Sequence, residues 1–400
     1  MTTPGGSRPR VRWEVAVGTV GVAVALLTGA ISVPDAIDEA GELLPVIAFL
    51  VAIMVLAQAC AAEGLFAALG ARVAAAGRRS GPRFLALSFG VAAVVTAALS
   101  LDATAVLLTP VLVVAARTVG RSPRPVSYAT VRLSNSASTL LPISNLTNLL
   151  VFASTGLTFL GFAAAMAPVW VVAVVAEYLV LRLAFSRDLA APPDAVRTED
   201  PPPVPRFALG AVVAVLVGFA AGSPFDVAPF WPAAAGAVVL VLHARRRGVL
   251  TMPDVGAAAN VPFAYFVMCW AVVVIAVGHA GVDDLVGRVL PGGGDLVGLV
   301  GVALLAMVLA GVVNNLPATL VLLPLVTPLG PAALLALLVG VNVGANLTYA
   351  GSLANLLWRS GLRAQDAAPS ARTFHLLGLT TPVLVVLCAA VLSAWTAWLW

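Results

Sequence analysis

Apolar runs of bilayer length alternate with short polar turns along the chain, near 13–33, 43–62, 164–185, 206–222, 230–244, 260–279 and 374–398. A helix crosses the hydrocarbon with about 17–25 such residues, so each run predicts a membrane-spanning α-helix. Two longer regions, 127–165 and 333–358, are apolar but interrupted by polar residues. The remaining apolar segments are shorter: 84–99 and 103–116 flank Asp102, and 297–313 and 317–326 flank Asn314 and Asn315. Arms of that length suit re-entrant hairpins better than pairs of full spans.

These interruptions occur twice. The first half carries SLDATAVLLTP (100–110) and then SNLTNLL (144–150); the second carries NNLPATLVLLP (314–324) and then GSLANLL (351–357). Residues 103–108 align with 318–323, and Leu146, Asn148, Leu149 and Leu150 align with Leu353, Asn355, Leu356 and Leu357. Polar side chains at membrane depth are costly unless they line a cavity or find partners. Broken segments at matching places in two halves mark the central site of a transporter. The expectation is therefore an all-α polytopic membrane protein of inverted-topology repeats, with two re-entrant hairpins and two broken transmembrane helices. Residues 1–82 supply N-terminal scaffold spans and an interfacial helix, 83–187 the first repeat, 188–205 a cytoplasmic Pro-rich linker, 206–296 further scaffold spans, and 297–400 the second repeat.

Composition agrees. With 61% hydrophobic and 10% charged residues and a mean hydropathy of +1.04, the chain lies outside the soluble globular range. All 22 basic residues other than His are Arg. Threading the spans puts the N-terminus and the loops 70–83, 117–132, 186–206, 243–248 and 359–373 on one side. Together with Arg182 beside them, they hold every Arg except Arg288. The positive-inside rule makes that side cytoplasmic and leaves the C-terminus outside a cell membrane. The opposite loops are acidic or neutral, with Asp35, Asp38, Glu39 and Glu42 in one and Asp283 and Asp284 near Arg288 in another. Basic charge spread over juxtamembrane loops does not point to a nucleic acid. MTTPGGSRPRVRW has no cleavage site after a short apolar core, so 13–33 reads as a retained span. Residues 63–79, with Glu63 and Arg72, Arg78 and Arg79 among Leu65, Phe66 and Leu69, suit a helix at the cytoplasmic interface. The sequence contains no HExxH, no GxSxG and no paired aspartates on a helix, and nothing else suggests an enzyme. Cys60, Cys269 and Cys388 sit in separate apolar segments without CxxC spacing. Ordinary packing is the expectation for them, a thiol triad gathered by the fold the alternative, and no metal or cofactor is implied.

A helix broken in the membrane exposes unpaired N–H groups at one new end and C=O groups at the other, and such ends bind polar solutes or cations. Pro142 and Gly351 are candidate breakers. Around them stand Ser144, Asn145, Thr147 and Asn148, then Asn346, Thr348, Ser352 and Asn355, all neutral hydrogen-bonding groups. Any single one could merely satisfy the broken backbone or join helices. Asp102 is the only acid in the four motifs. It reads as a coupling site for a proton, or as a cap on the second hairpin arm, and the two roles can coexist. Glu177 has Arg182 and Arg187 within snorkelling reach, which suggests a structural ion pair. No Arg falls inside a motif, so a small, neutral, hydroxyl-rich solute suits this inventory better than a di- or tricarboxylate.

At DATAVLLTP from Asp102, SNLTNLLV from Ser144, NNLPATLV from Asn314 and GANLTYAGSLANLLW from Gly344, the sequence resembles bacterial arsenite efflux permeases of the ArsB type. These fall within the ion transporter superfamily that also holds sodium-coupled dicarboxylate symporters and NhaD-type antiporters. The resemblance implies that Asp102, Ser144, Asn145, Asn148, Asn314, Asn315, Asn346, Thr348 and Ser352 surround the substrate between two hairpin tips and two broken helices. It implies export of arsenite or antimonite as the neutral trihydroxide, driven by protons, in some hosts with a soluble ATPase partner. An anion transporter or a sodium/proton antiporter of the same superfamily is the alternative. Two departures bear on the cargo: Ser100-Leu101-Asp102 stands where relatives often carry Asn before the Asp, and Asn346-Leu347-Thr348-Tyr349-Ala350 stands where arsenite permeases tend to have a Thr-Pro pair.

Overall fold

The computed structural model describes residues 13–191, 200–278, 281, 287–292 and 294–399. Parts of the Pro-rich linker, the Arg residues before Trp13, and Asp283 and Asp284 lie outside them. The described residues are helical throughout and contain no strand. The first half comprises α1 (Trp13–Leu27), α2 (Val33–Ala62), α3 (Leu65–Gly77), α4 (Gly81–Ala98), α5 (Thr109–Thr118), α6 (Arg124–Ser136), α7 (Leu146–Thr155), α8 (Phe159–Ala184) and the short α9 (Ser186–Ala190). After the linker come α10 (Arg206–Gly222), α11 (Phe230–Arg246), α12 (Met252–Ala259) and α13 (Val261–Val277). The second half continues with α14 (Leu296–Val313), α15 (Asn315–Val326), α16 (Pro331–Val343), α17 (Leu353–Arg363), α18 (Ala371–Gly378) and α19 (Thr381–Leu399). Seven stretches among the described residues are long and apolar enough to cross a membrane.

The first span is shorter than its apolar run, because Gly29 turns left-handed at φ 71° and Ser32 starts a new helix by accepting from the Asp35 amide. That helix, α2, runs 30 residues, through the acidic stretch that reads as a loop in the sequence. Another difference lies at Asn260, whose φ of 42° separates α12 from α13 inside one apolar stretch. Asn tolerates the left-handed conformation, and Pro262 restarts the helix in its first turn.

Each half contains one hairpin and one broken helix. Between α4 and α5 the chain turns over Leu99–Asp102, and the Thr96 and Thr104 hydroxyls meet at 2.7 Å across the turn. α14 and α15 turn at Asn314 in the same manner. The first broken helix ends α6 at Ser136, passes two 3₁₀ turns, Ala137–Thr139 and Pro142–Ser144, and resumes as α7. The second ends α16 at Val343, passes Gly344–Leu347 and Tyr349–Gly351, and resumes as α17. The breaks thus open well before Pro142 and Gly351. Gly351 is required for a different reason: a Cβ there would sit 2.2 Å from the Ala345 carbonyl oxygen, where the chain folds back on itself. Gly340 and Gly344 let α16 lie against α14, since added Cβ atoms would stand 2.3 Å from the Ala303 oxygen and 2.7 Å from Met307.

Arg132 is not in a cytoplasmic loop, as its position in the segment 117–132 suggests. It lies near the end of α6, 2% exposed, and its guanidinium donates to the Glu177 carboxylate on α8. Glu177 is therefore paired within the fold by Arg132 and not by Arg182 or Arg187; the Arg182 guanidinium donates to the Tyr178 hydroxyl. Glu63 at the end of α2 accepts from Arg247 at 2.6 Å, tying the start of α3 to the basic turn after α11.

Candidate functional site

At the first hairpin tip, the Ser100 hydroxyl accepts from the Ala103 amide at 3.1 Å and so takes the capping role that Asp102 was positioned to fill. The Asp102 carboxylate makes no capping bond, and among the described residues no side chain pairs with it. The helix then runs as a π turn over Ala103–Leu108, with the Thr109 hydroxyl donating to the displaced Thr104 carbonyl. Such π turns leave backbone groups locally re-aimed and are common at functional sites.

Two cavities meet at this tip. The first, about 350 Å³, is bounded by polar groups of both hairpin tips and the first break: Ser100, Asp102, Asn145, Thr147, Asn314 and Asn315. Phe49 of α2 and Phe263, Phe266 and Trp270 of α13 also line it. The second cavity, about 330 Å³, extends from Ser100 and Asp102 past Gln58 and Asn260 to Asp254 at the start of α12. Ser100, Asp102, Phe263 and Leu353 border both. Among the described residues, neither cavity is lined by an Arg or a His.

The second tip is strained. Asn314 has φ 89° and ψ 153°, a region essentially reserved for glycine, and holding a non-glycine residue there costs about 1–3 kcal/mol. Its side chain compensates in part by accepting from the Leu316 amide and donating to the Ala350 carbonyl of the second break at 3.1 Å. Hairpin tip and break are thereby joined within the second half.

The structure divides the sequence-derived site residues into two groups. Asp102, Asn145, Thr147, Asn314 and Asn315 reach the first cavity. The others border neither cavity and are engaged only by the protein. Ser144 donates to the Ala97 carbonyl at 2.7 Å, holding the first break against α4. The Asn148 amide donates to the Ser138 and Leu141 carbonyls, and the Asn355 amide donates to those of Ala345 and Thr348, so each break is held by an Asn of its own half. Thr348 donates to the Gly311 carbonyl at 2.6 Å, and Ser352 caps α17 through the Asn355 amide. Asn346 donates to Ser136, to the Arg132 carbonyl and to Glu177. Two residues that sequence reasoning missed, Asn135 and Asn342, bond across from each half to motif residues of the other. Both are fully buried, and they sit at equivalent places in the two broken helices, 207 positions apart, the same spacing as the Asn148 and Asn355 motifs. Extending that spacing upstream of the motifs would have found them.

Comparison with known proteins agrees with this architecture. A family model described as citrate transporter (CitMHS) matches residues 11–333. An arsenical pump membrane protein of Escherichia coli K12 is 27% identical over 393 residues, covering 93% of this chain and 91% of its own. One from Yersinia enterocolitica is 30% identical over 318 residues, 74% of each chain. Among solved structures, the YdaH transporter of Alcanivorax borkumensis, whose crystal structure is described as having an unusual topology, superimposes with a TM-score of 0.62. It shares 18% identity and covers 97% of this chain and 99% of its own, a likeness of fold.

Proposed function

We propose that this chain, which belongs to the citrate transporter (CitMHS) family, exports arsenite and antimonite across the cell membrane in exchange for protons. The observation that carries the reading is the setting of Asp102: a carboxylate with no partner side chain among the described residues, bordering both cavities, among neutral Asn and Thr side chains. Asn and Thr both donate and accept, which suits the hydroxyls of a neutral trihydroxide. An ionised Asp102 accepts one such O–H and holds the cargo. When a proton arrives on the carboxylate, the charged acceptor becomes a neutral carboxyl that holds the cargo more weakly, the cargo leaves, and the protonated carrier returns with the proton in its place. A single ionisable group that holds either a proton or the cargo, never both, is sufficient for exchange. The names of the curated relatives support the arsenical cargo.

The family description favours a second reading, transport of a carboxylate anion. A polyanion in these cavities would face Asp102 with no Arg or His beside it among the described residues, so it would need helix termini and bound cations to neutralise it. The Arg-bearing loops are placed in the cytoplasm by the positive-inside rule, with the N-terminus on the same side. The test is arsenite uptake into everted membrane vesicles with and without an imposed proton gradient. Gradient-dependent accumulation that a protonophore collapses is expected. Citrate uptake without arsenite uptake would replace the arsenite reading with the anion reading, and sodium-driven proton movement without either solute would replace it with cation antiport.

A further inference from the structure

The two broken helices are fastened to each other by a crossed pair of asparagines. Asn342, on α16 of the second half, donates to the Asn148 Oδ1 at 2.6 Å, and its own Oδ1 accepts from the Asn145 amide at 2.8 Å and the Thr147 hydroxyl at 3.0 Å. All three partners belong to the first break. Asn135, on α6 of the first half, donates at 2.8 Å to the Oδ1 atoms of both Asn346 and Asn355, in the second break. The arrangement is reciprocal on the donor side, whereas the Asn342 Oδ1 accepts two bonds and the buried Asn135 Oδ1 finds no partner among the described residues. Asn148 and Asn355 have committed their amide groups to the carbonyls of their own breaks, which turns each Oδ1 outward as a fixed acceptor, and the Asn of the opposite half donates to it. A carboxamide places its donor and its acceptor on separate atoms, so Asn342 donates to Asn148 through its amide while its Oδ1 accepts from Asn145 and Thr147.

We infer that Asn135 and Asn342 are positioning residues that set the geometry of each break from the other half of the protein. A break therefore cannot change shape alone: moving the first pulls on α16, and moving the second pulls on α6. The two members of the pair have unequal consequences for transport. Asn342 holds Asn145 and Thr147, which border the first cavity, so it acts on the residues that meet the cargo. Asn135 holds Asn346 and Asn355, which border neither cavity; Asn346 in turn bonds the Glu177 carboxylate at 3.1 Å. Loss of Asn135 leaves the cargo contacts in place and loosens the frame that moves them. The inference rests on the chain being a transporter, and not on the identity of its cargo.

Hydrogen exchange measured by mass spectrometry on the full chain in nanodiscs tests it. In Asn342→Ala, a second-half change, amides of 137–148 in the first break are expected to exchange at least about tenfold faster, since three buried hydrogen bonds are lost and one alone is worth roughly that factor. In Asn135→Ala, a first-half change, the faster exchange is expected in 344–355. Faster exchange confined to the substituted helix, or no change at either break, would overturn the inference. If Asn342→Ala does not fold, Asn342→Asp keeps the acceptor for Asn145 and Thr147, removes only the donor to Asn148, and is expected to show the same crossed effect at smaller size. Transport supplies a second readout. Asn342→Ala is expected to raise KM for arsenite about tenfold, and Asn135→Ala to lower Vmax while KM stays within about twofold; the same KM and Vmax changes in both variants would also overturn it. A wild-type protein inactive with arsenite would defeat the cargo reading and leave the exchange measurement to decide this one.

Discussion

Replacing Glu177 with Leu should destabilise the protein heavily, and replacing Arg132 with Val in addition should restore most of the loss. Glu177 is fully buried and accepts from Arg132, Ser136 and Asn346. Its removal leaves the Arg132 guanidinium, itself 2% exposed, without a counter-charge. Breaking a buried pair on one side costs about 3–5 kcal/mol, whereas replacing both members with apolar groups is often neutral or better. The second half of this protein shows what that replacement looks like. At the same spacing of 207 positions, Val339 and Leu384 occupy the places of Arg132 and Glu177, both buried in one apolar cluster where α16 meets α19. The Asn346 amide retains Ser136 and the Arg132 backbone carbonyl as acceptors in the double variant, so its residual deficit should stay near 1 kcal/mol. For a chain of this size a loss of about 3–5 kcal/mol lowers the unfolding midpoint by on the order of 4–6 °C. Thermal unfolding in detergent, followed by the loss of monodisperse protein, reads the shift. A double variant as unstable as Glu177→Leu alone would refute the argument, as would an unchanged midpoint for the single variant.

Three further outcomes are expected. Asn314→Gly should be more stable than Asn314→Ala by about 1–3 kcal/mol, because only glycine occupies its backbone region without strain; the reverse order in the same unfolding assay would contradict the strain. Gly351→Ala should cost about 3 kcal/mol or prevent folding, since its Cβ would lie 2.2 Å from the Ala345 oxygen, and a well-folded, active variant would show that the second break is looser than described. Removing all three cysteines, each buried and free, should leave most transport intact; complete loss would revive a thiol-based site for the metalloid.

The duplicated motifs, the hairpins and the broken helices were legible because polar residues in an apolar chain stand out and because the two halves repeat them. Arg132 was not. α6 carries Arg132, Ser134, Asn135 and Ser136 in succession, and its polarity reads as the end of a loop when lipid is taken as the only surroundings. In the fold, nearly all of α6 is buried by protein, so its side chains are chosen for partners and not for hydrocarbon. Asn342 was hidden in the opposite way, as one polar residue within an apolar stretch whose partners lie nearly 200 positions away. The left-handed turn at Asn260 left only a weak signal, an Asn two residues before a Pro, inside a run hydrophobic enough to pass for one uninterrupted span. The division of the motif residues into those facing the first cavity and those holding the breaks depends on where each carboxamide finds a carbonyl, which spacing along the chain does not encode.

The central claim is that Asp102 carries the exchanged proton, and it is tested most directly by comparing two modes of transport in proteoliposomes containing Asp102→Asn. Arsenite should still exchange for arsenite at equilibrium, at a raised KM, because the neutral Asn keeps an acceptor oxygen and Asn145 and Thr147 still border the cavity, while accumulation driven by an imposed proton gradient should vanish. Gradient-driven accumulation at the wild-type rate would place the coupling elsewhere and contradict the account.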